Sequence, residues 1–397
     1  MNARVAPLQP ARVALLGTGT VGRALWSRLG AWAGSPLGER LSLLHVANSR
    51  VAVSNRKGIQ ANTPDMFAGN TPHASSLDAV GAALDGAGPR IVVDATASDG
   101  VAGQHAAWLA QGIHVVTACK LGQGTSLERW HAIQAARHAG GTQYGDSATV
   151  GAGLPLLRSL RELQAGGDRI HAMAGVLSGS LAWLCNNYDG LRPFSGFVRE
   201  AREAGFTEPD PREDLSGEDV RRKLLILARA AGYLLQVDAV RVDSLVPAGL
   251  AMLAEQDVDV ALLQLDAPMR AHYAAAYKRG EKLRFIARLE GGLATIGLET
   301  LAADHPLAGG AGTDNKVAIW SDRYREQPLV IQGPGAGAAV TAAALLDDAL
   351  AIHAATAGDE AIEVRASIPK QVSMDCRRSR FAPTLHASGI GNIGLRR

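Results

Sequence analysis

Apolar positions along the chain fall into short runs separated by stretches of helical spacing. A run at 12–16 ends in Gly17, Thr18, Gly19, Thr20, Val21 and Gly22, and residues 23–29 follow with apolar positions three and four apart. That pattern predicts a strand, a glycine turn and a helix. Further runs at 41–47, 91–95 and 113–117 are spaced widely enough for helices between them, so residues 1–145 read as a Rossmann-type, doubly wound parallel sheet in an α/β protein. From Gly145 the texture changes to glycine-rich turns, a polar loop at 205–217 and a helical stretch at 218–231, which predicts a second, α+β domain over 146–319. Another glycine-rich turn at 332–337, with Gly335 and Gly337, opens an alanine-rich helical pattern at 338–356. Residues from about 320 to 357 are therefore expected to return to the first domain and complete it. Beyond Gly358 periodicity fades, and 358–397 is expected to be a poorly ordered tail.

Composition narrows the class. Of 397 residues, 47% are hydrophobic and 20% charged, enough for two real cores. Forty basic against thirty-eight acidic side chains, with no long run of one sign, call for neither nucleic acid nor membrane. Cys119, Cys185 and Cys376 show no CxxC spacing, which argues against a disulfide framework or zinc site and fits a reducing, cytoplasmic setting. No apolar run reaches the roughly eighteen residues needed to span a bilayer.

Gly17, Gly19 and Gly22 form GxGxxG between a strand and a helix, where backbone amides can hold a pyrophosphate; a tight turn without ligand is the plain alternative. Folds that prefer NAD place an acid about twenty residues on, for the ribose hydroxyls. This chain has Asn48 and Arg50 there, which favours NADP over NAD, although Arg50 also reads as an ordinary surface arginine.

The segment 208–219 crowds Glu208, Asp210, Glu213, Asp214, Glu218 and Asp219 around two prolines that stop it from being one helix, so it is either a solvated turn or a rigid site for a cationic group. Ser216 has the look of a helix N-cap, with Asp219 at the third helical position. Asp219 and Lys223 then share a helix face, as a surface ion pair or, because the run 224–228 suggests a buried helix, as a proton-transfer pair. The turn at 144–155 reads as a plain turn, or as a set of carbonyls suited to a hard cation.

Together these segments, above all 205–223, resemble homoserine dehydrogenases over about 12–351. The resemblance implies reversible reduction of L-aspartate 4-semialdehyde to L-homoserine by NADPH or NADH, in threonine, methionine and isoleucine biosynthesis. It also implies a homodimer formed through the sheet of the catalytic domain. Lys223 and Lys120 would flank the reacting carbonyl, Asp219 would orient substrate and support Lys223, and Glu208 would bind the substrate's amino group beside Asp214 and Ser180. Thr96 would lie near the nicotinamide, and Gly335 and Gly337 would cover the cofactor. Carbonyls of Val150, Ala152 and Leu154 would hold a monovalent cation such as sodium.

The chain departs from the family in three places. The pattern that ends in two lysines reads Thr117, Ala118, Cys119, Lys120, Leu121; Phe206 stands where tyrosine is common; Ser147 replaces the glutamate before the cation turn. The residues after Gly358 are too few for a threonine-sensing domain, so feedback inhibition is expected to be weak or absent. Two rival readings remain: an aspartate-semialdehyde dehydrogenase using Cys119 as nucleophile, and a dinucleotide-binding sensor without chemistry.

Overall fold

The computed structural model describes residues 9–356; the expected tail at 358–397 lies outside them. The first apolar run is β1 (Ala11–Leu16), in the middle of a seven-stranded sheet. Its neighbours are β2 (Leu41–Ala47), β3 (Val51–Ser54), β4 (His73–Ala74), β5 (Arg90–Asp94), β6 (His114–Thr117) and β7 (Tyr144–Gly145), in the order β4-β3-β2-β1-β5-β6-β7. Period-two alternation is direct: Val13 and Leu15 enter one core while Ala14 and Leu16 enter the other, so the sheet is buried on both faces.

The expectation of a parallel sheet holds for β1, β2, β5, β6 and β7, but β3 is reversed and pairs antiparallel with both β2 and β4. The reason is local. Only Asn48, Ser49 and Arg50 separate β2 from β3, too short a link for a crossover, and the Asn48 amide closes the turn on the Val51 carbonyl at 2.9 Å.

A second sheet contains β8 (Ile170–Val176), β9 (Val240–Val242), β10 (Lys282–Glu290), β11 (Leu293–Leu301), β12 (Asp314–Ser321) and β13 (Leu329–Pro334), in the order β13-β12-β8-β10-β11-β9. It is antiparallel except where β9 meets β11. Met173, Phe285, Ala287, Leu289 and Val317 face the main core, into which the helices Leu156–Ala165 and Glu218–Ala230 pack. The opposite face holds only a small cluster around Ala174, Ile286 and Leu307.

Because β12 and β13 belong to this second sheet, the return to the first one begins at the helix Ala338–Thr356 rather than near 320. That helix is long and apolar enough to cross a membrane by length and composition. In the fold, however, Ala342, Leu345, Leu346, Ala349 and Ile352 are built into the first sheet's core. Fully burying Leu345 and Leu346 contributes about 1.5–3 kcal/mol each.

The polar loop at 205–217 is interrupted by one helical turn, Arg212–Leu215, started by Pro211. Ser216 closes that turn, its hydroxyl donating to the Glu213 carbonyl at 2.8 Å, and its oxygen accepts the Glu218 amide at 3.2 Å, so it serves the next helix from one position before the N-cap rather than as the N-cap itself. Gly217, left-handed at φ +78°, is the N-cap. A Cβ there would lie 3.2 Å from both Phe285 and Val242, so a glycine makes the sharp reversal into the helix Glu218–Ala230. Asp219 thereby escapes the capping role.

Candidate active site

The glycine turn lies where β1 and β5 part, at the carboxyl ends of the strands, the place open α/β sheets reserve for ligands. Gly17 adopts φ +103°, and a Cβ on it would come within 2.7 Å of the Ala95 carbonyl. Gly22 touches the Gly17 carbonyl, where a side chain has no room, whereas Gly19 faces open space. As N-cap of the helix Thr20–Ala31, Gly19 has no side-chain cap, and the first amides of that helix are free for an anion. Thr18 is tied to Asn48, whose amide nitrogen lies 3.5 Å from its hydroxyl. The Asn48 carbonyl oxygen accepts from the amides of Arg50 and Val51 at 2.8 Å each, which fixes the turn on which the exposed Arg50 stands.

A buried carboxylate joins the next two loops. Asp94 ends β5, and one of its oxygens accepts from the Thr96 amide at 2.9 Å and the Thr96 hydroxyl at 2.7 Å. The other oxygen accepts from Thr117 at 3.1 Å and lies 3.0 Å from His105 Nε2. His105 Nδ1 faces the Tyr144 hydroxyl at 2.9 Å, and burial raises that phenol far above its ordinary pKa. One residue thus sets both Thr96 and the loop that carries Lys120. Neither Asp94 nor His105 was singled out from the sequence, although a lone acid ending the run Ile91, Val92, Val93 was a usable signal.

Lys120 reaches Asp219 at 3.3 Å, and Lys223, one turn further along the helix, reaches the other oxygen of Asp219 at 2.8 Å. Lys223 also donates to the Leu177 carbonyl at 2.8 Å, just past β8, and its side chain is only 12% exposed. Burial pushes the Asp219 carboxyl up, but the charges and hydrogen bonds of Lys223 and Lys120 outweigh it. They hold the group well below the usual carboxylate range. The site is more than an i, i+4 ion pair: Asp219 is partly exposed, but two lysines share this one acid, which leaves one positive charge over.

Beside them lies a second chain of contacts. Ser178 and Ser180 meet at 2.8 Å, Ser180 donates to Asp214 at 2.7 Å, and the other Asp214 oxygen accepts the Glu208 amide at 2.8 Å. Asp214 and Ser180 therefore hold the backbone of Glu208 in place, and the Glu208 side chain is exposed. Phe206, in the position where tyrosine is common, stacks obliquely on Trp183 at 5.5 Å.

Other predicted residues lie apart from this cluster. Gly337 (φ +131°) precedes the helix Ala338–Thr356, and Gly335 sits against Asn315 with no space for a Cβ. Val150 and Ala152 are buried, with Ala152 at φ +52°, and the Leu154 carbonyl accepts from the Leu156 amide at 2.8 Å. Ser147 donates through its amide and hydroxyl to Asp348 at 2.9 and 2.8 Å. Among the described residues no group of three or more His, Cys, Asp or Glu could hold a metal. Cys119 is 2% exposed, and burial, followed by the charge of Asp94, pushes its thiol up to about 11. That is the opposite of a nucleophilic cysteine, which needs a lowered pKa and access.

Comparison with known proteins agrees with this arrangement. Residues 17–144 match the family model for the NAD-binding domain of homoserine dehydrogenase, and residues 155–350 match the model for homoserine dehydrogenase itself. A homoserine dehydrogenase of Emericella nidulans is 37% identical over 278 residues, covering 67% of this chain and 76% of that protein. A bifunctional aspartokinase/homoserine dehydrogenase of Zea mays is 42% identical over 264 residues, 66% of this chain; the match spans only 29% of that longer protein. Among solved structures, a Candida auris protein of unknown function superposes with a TM-score of 0.79 at 32% identity, covering 86% of this chain and 98% of that one. The chain belongs to the homoserine dehydrogenase family.

Proposed function

We propose that the protein catalyses the reversible reduction of L-aspartate 4-semialdehyde to L-homoserine with NADPH. The observation that carries this reading is the pair of lysines on Asp219, beside the loop held by Asp94 and the Glu208 segment held by Asp214. When bound, the nicotinamide supplies the hydride. Reduction leaves negative charge on the carbonyl oxygen, and a lysine pair with one surplus positive charge stabilises it. Lys223, fixed by Asp219 and the Leu177 carbonyl, donates the proton; in the other direction, the neutral amine takes the hydroxyl proton back. Glu208 binds the substrate's ammonium group, and Arg50 pairs with a 2′-phosphate, for which no acid competes at this turn.

The same reading includes a homodimer formed through the less covered face of the second sheet. There Arg288 pairs with Glu299 at 2.6 Å, and His171, Glu290, Trp320 and Arg325 line a shallow depression. Light scattering on the purified protein tests it: one protomer mass contradicts the dimer. A sodium ion, if bound by Val150, Ala152 and Leu154, would have neutral donors only, because Ser147 brings a hydroxyl that Asp348 already engages. Replacing sodium by a bulky organic cation is accordingly expected to leave turnover unchanged.

The deciding experiment follows NADPH oxidation at 340 nm with L-aspartate 4-semialdehyde, beside NADH and beside Arg50→Ala. Turnover with NADPH, and a loss of about tenfold or more in NADPH preference in the variant, supports the reading. Binding of NADPH without its consumption contradicts it and makes the protein a sensor.

A further inference from the structure

Arg229 lies six residues, somewhat under two turns, beyond Lys223 on the same helix, in an otherwise apolar run, and is 3% exposed. Its guanidinium makes no ion pair among the described residues. It donates instead to backbone carbonyls: Gln123, Thr125 at 2.7 Å and Leu235 at 2.9 Å. Burying a cation without a counter-charge is costly, and an apolar side chain of similar volume would fill the space more cheaply. Burial lowers the guanidinium's pKa to about 10. Two of the three carbonyls belong to the loop that follows Lys120.

A second contact acts at the same place. Gly124 lies so close to the helix that a Cβ would sit 2.8 Å from the Arg222 carbonyl and 3.0 Å from the Arg222 Cβ. The Gly124 amide donates to the Lys120 carbonyl at 2.7 Å, so the loop turns back directly behind the lysine. Thr125 strengthens that turn by donating to the Leu121 carbonyl at 2.7 Å.

We infer that Arg229 is a positioning residue for the reaction: through the carbonyls of Gln123 and Thr125 it fastens the Lys120 loop to the helix carrying Asp219 and Lys223. Gly124 is the matching surface that lets the loop close. The separation of the two lysines across one carboxylate then depends on a buried side chain that touches neither substrate nor cofactor. This rests on the homoserine dehydrogenase reading for its kinetic consequence, and on geometry alone for the fastening.

The test is a double-variant cycle. Arg229→Met and Arg229→Lys are each measured in the wild-type and in the Lys120→Ala background, with kcat and NADPH affinity read separately. Arg229→Met is expected to lower kcat by between about ten- and a hundredfold through misplacement of Lys120, with NADPH affinity unchanged. Arg229→Lys, able to reach fewer carbonyls, is expected to recover part of that loss. In Lys120→Ala the Arg229→Met effect should shrink to less than about threefold, because nothing remains to be positioned. An equal loss in both backgrounds would overturn the inference and leave Arg229 a purely structural residue. If Arg229→Met does not fold, Gly124→Ala takes its place in the same cycle with the same expectations. If the wild-type protein shows no turnover, the functional reading fails on its own. Hydrogen exchange then decides the fastening: faster exchange at the Gly124 amide in Arg229→Lys supports it, and unchanged exchange refutes it.

Discussion

Lys223 stands on a regular helix and Lys120 in an irregular loop, yet both ammonium groups end on Asp219. The helix defines its lysine by rise and register: four residues from Asp219, with a core of Val220, Leu224 and Leu227 holding the rod still. The loop defines its lysine from both ends. Asp94 and Thr117 hold the entrance, and the Arg229 bonds to carbonyls hold the exit. Most of the exit contacts use main-chain atoms, which any sequence supplies. This explains how the loop can read Ala118, Cys119 and Leu121, away from its family's pattern, and still deliver a lysine.

The two routes predict unequal sensitivity. Lys120 is 31% exposed and has a single carboxylate partner, whereas Lys223 is more buried and bonded twice. Short of removing Lys223 itself, the largest effect is expected from Lys120→Ala, about a hundredfold in kcat, or roughly 2.7 kcal/mol, in steady-state NADPH oxidation. A loss as large as that of Lys223→Ala would erase the contrast between loop and helix.

Asp219→Asn comes next, with an expected loss of about tenfold. The carboxylate's lowered pKa gives the accompanying pH dependence a definite sign. Asp219 stays ionised through the neutral and mildly acidic range, so its contribution is present there and falls away only in strong acid. An acidic limb of the kcat profile near pH 5 or 6 must therefore persist in Asp219→Asn; its disappearance would assign that limb to Asp219. The smallest effect concerns Cys119. With its thiol pushed up to about 11, alkylation at that residue should be negligible at neutral pH and quicken only as the pH climbs toward that value. Mass spectrometry after iodoacetamide treatment at pH 7.5 checks this, and rapid modification of Cys119 with loss of activity would restore the cysteine-nucleophile reading.

How much of this was legible in the sequence depends on whether a contact is local. The glycine turn, the strands at 41–47 and 113–117 and the helix 338–356 follow from periodicity and glycine placement, which act over a few residues. The pairing of Asp219 with Lys223 is likewise a matter of helical spacing. The sequence could not show that Lys120, about a hundred residues away, closes on the same acid, nor that Asp214 spends both oxygens on Ser180 and the Glu208 backbone. The N-cap falls on Gly217 rather than Ser216 for a related reason: it depended on whether Gly217 turned left-handed, where a Cβ would press on Phe285 and Val242. Arg229 was hidden because its partners are carbonyls, and main-chain acceptors leave no mark in a sequence.

The central claim, that Lys223 on Asp219 is the group that meets the reacting carbonyl, is tested most directly by single-turnover oxidation of bound NADPH by L-aspartate 4-semialdehyde in Lys223→Ala. The account predicts a loss of at least about a thousandfold, roughly 4 kcal/mol, with NADPH affinity unchanged. A rate within about tenfold of wild type, at equal cofactor occupancy, would contradict it and move the chemistry to another residue.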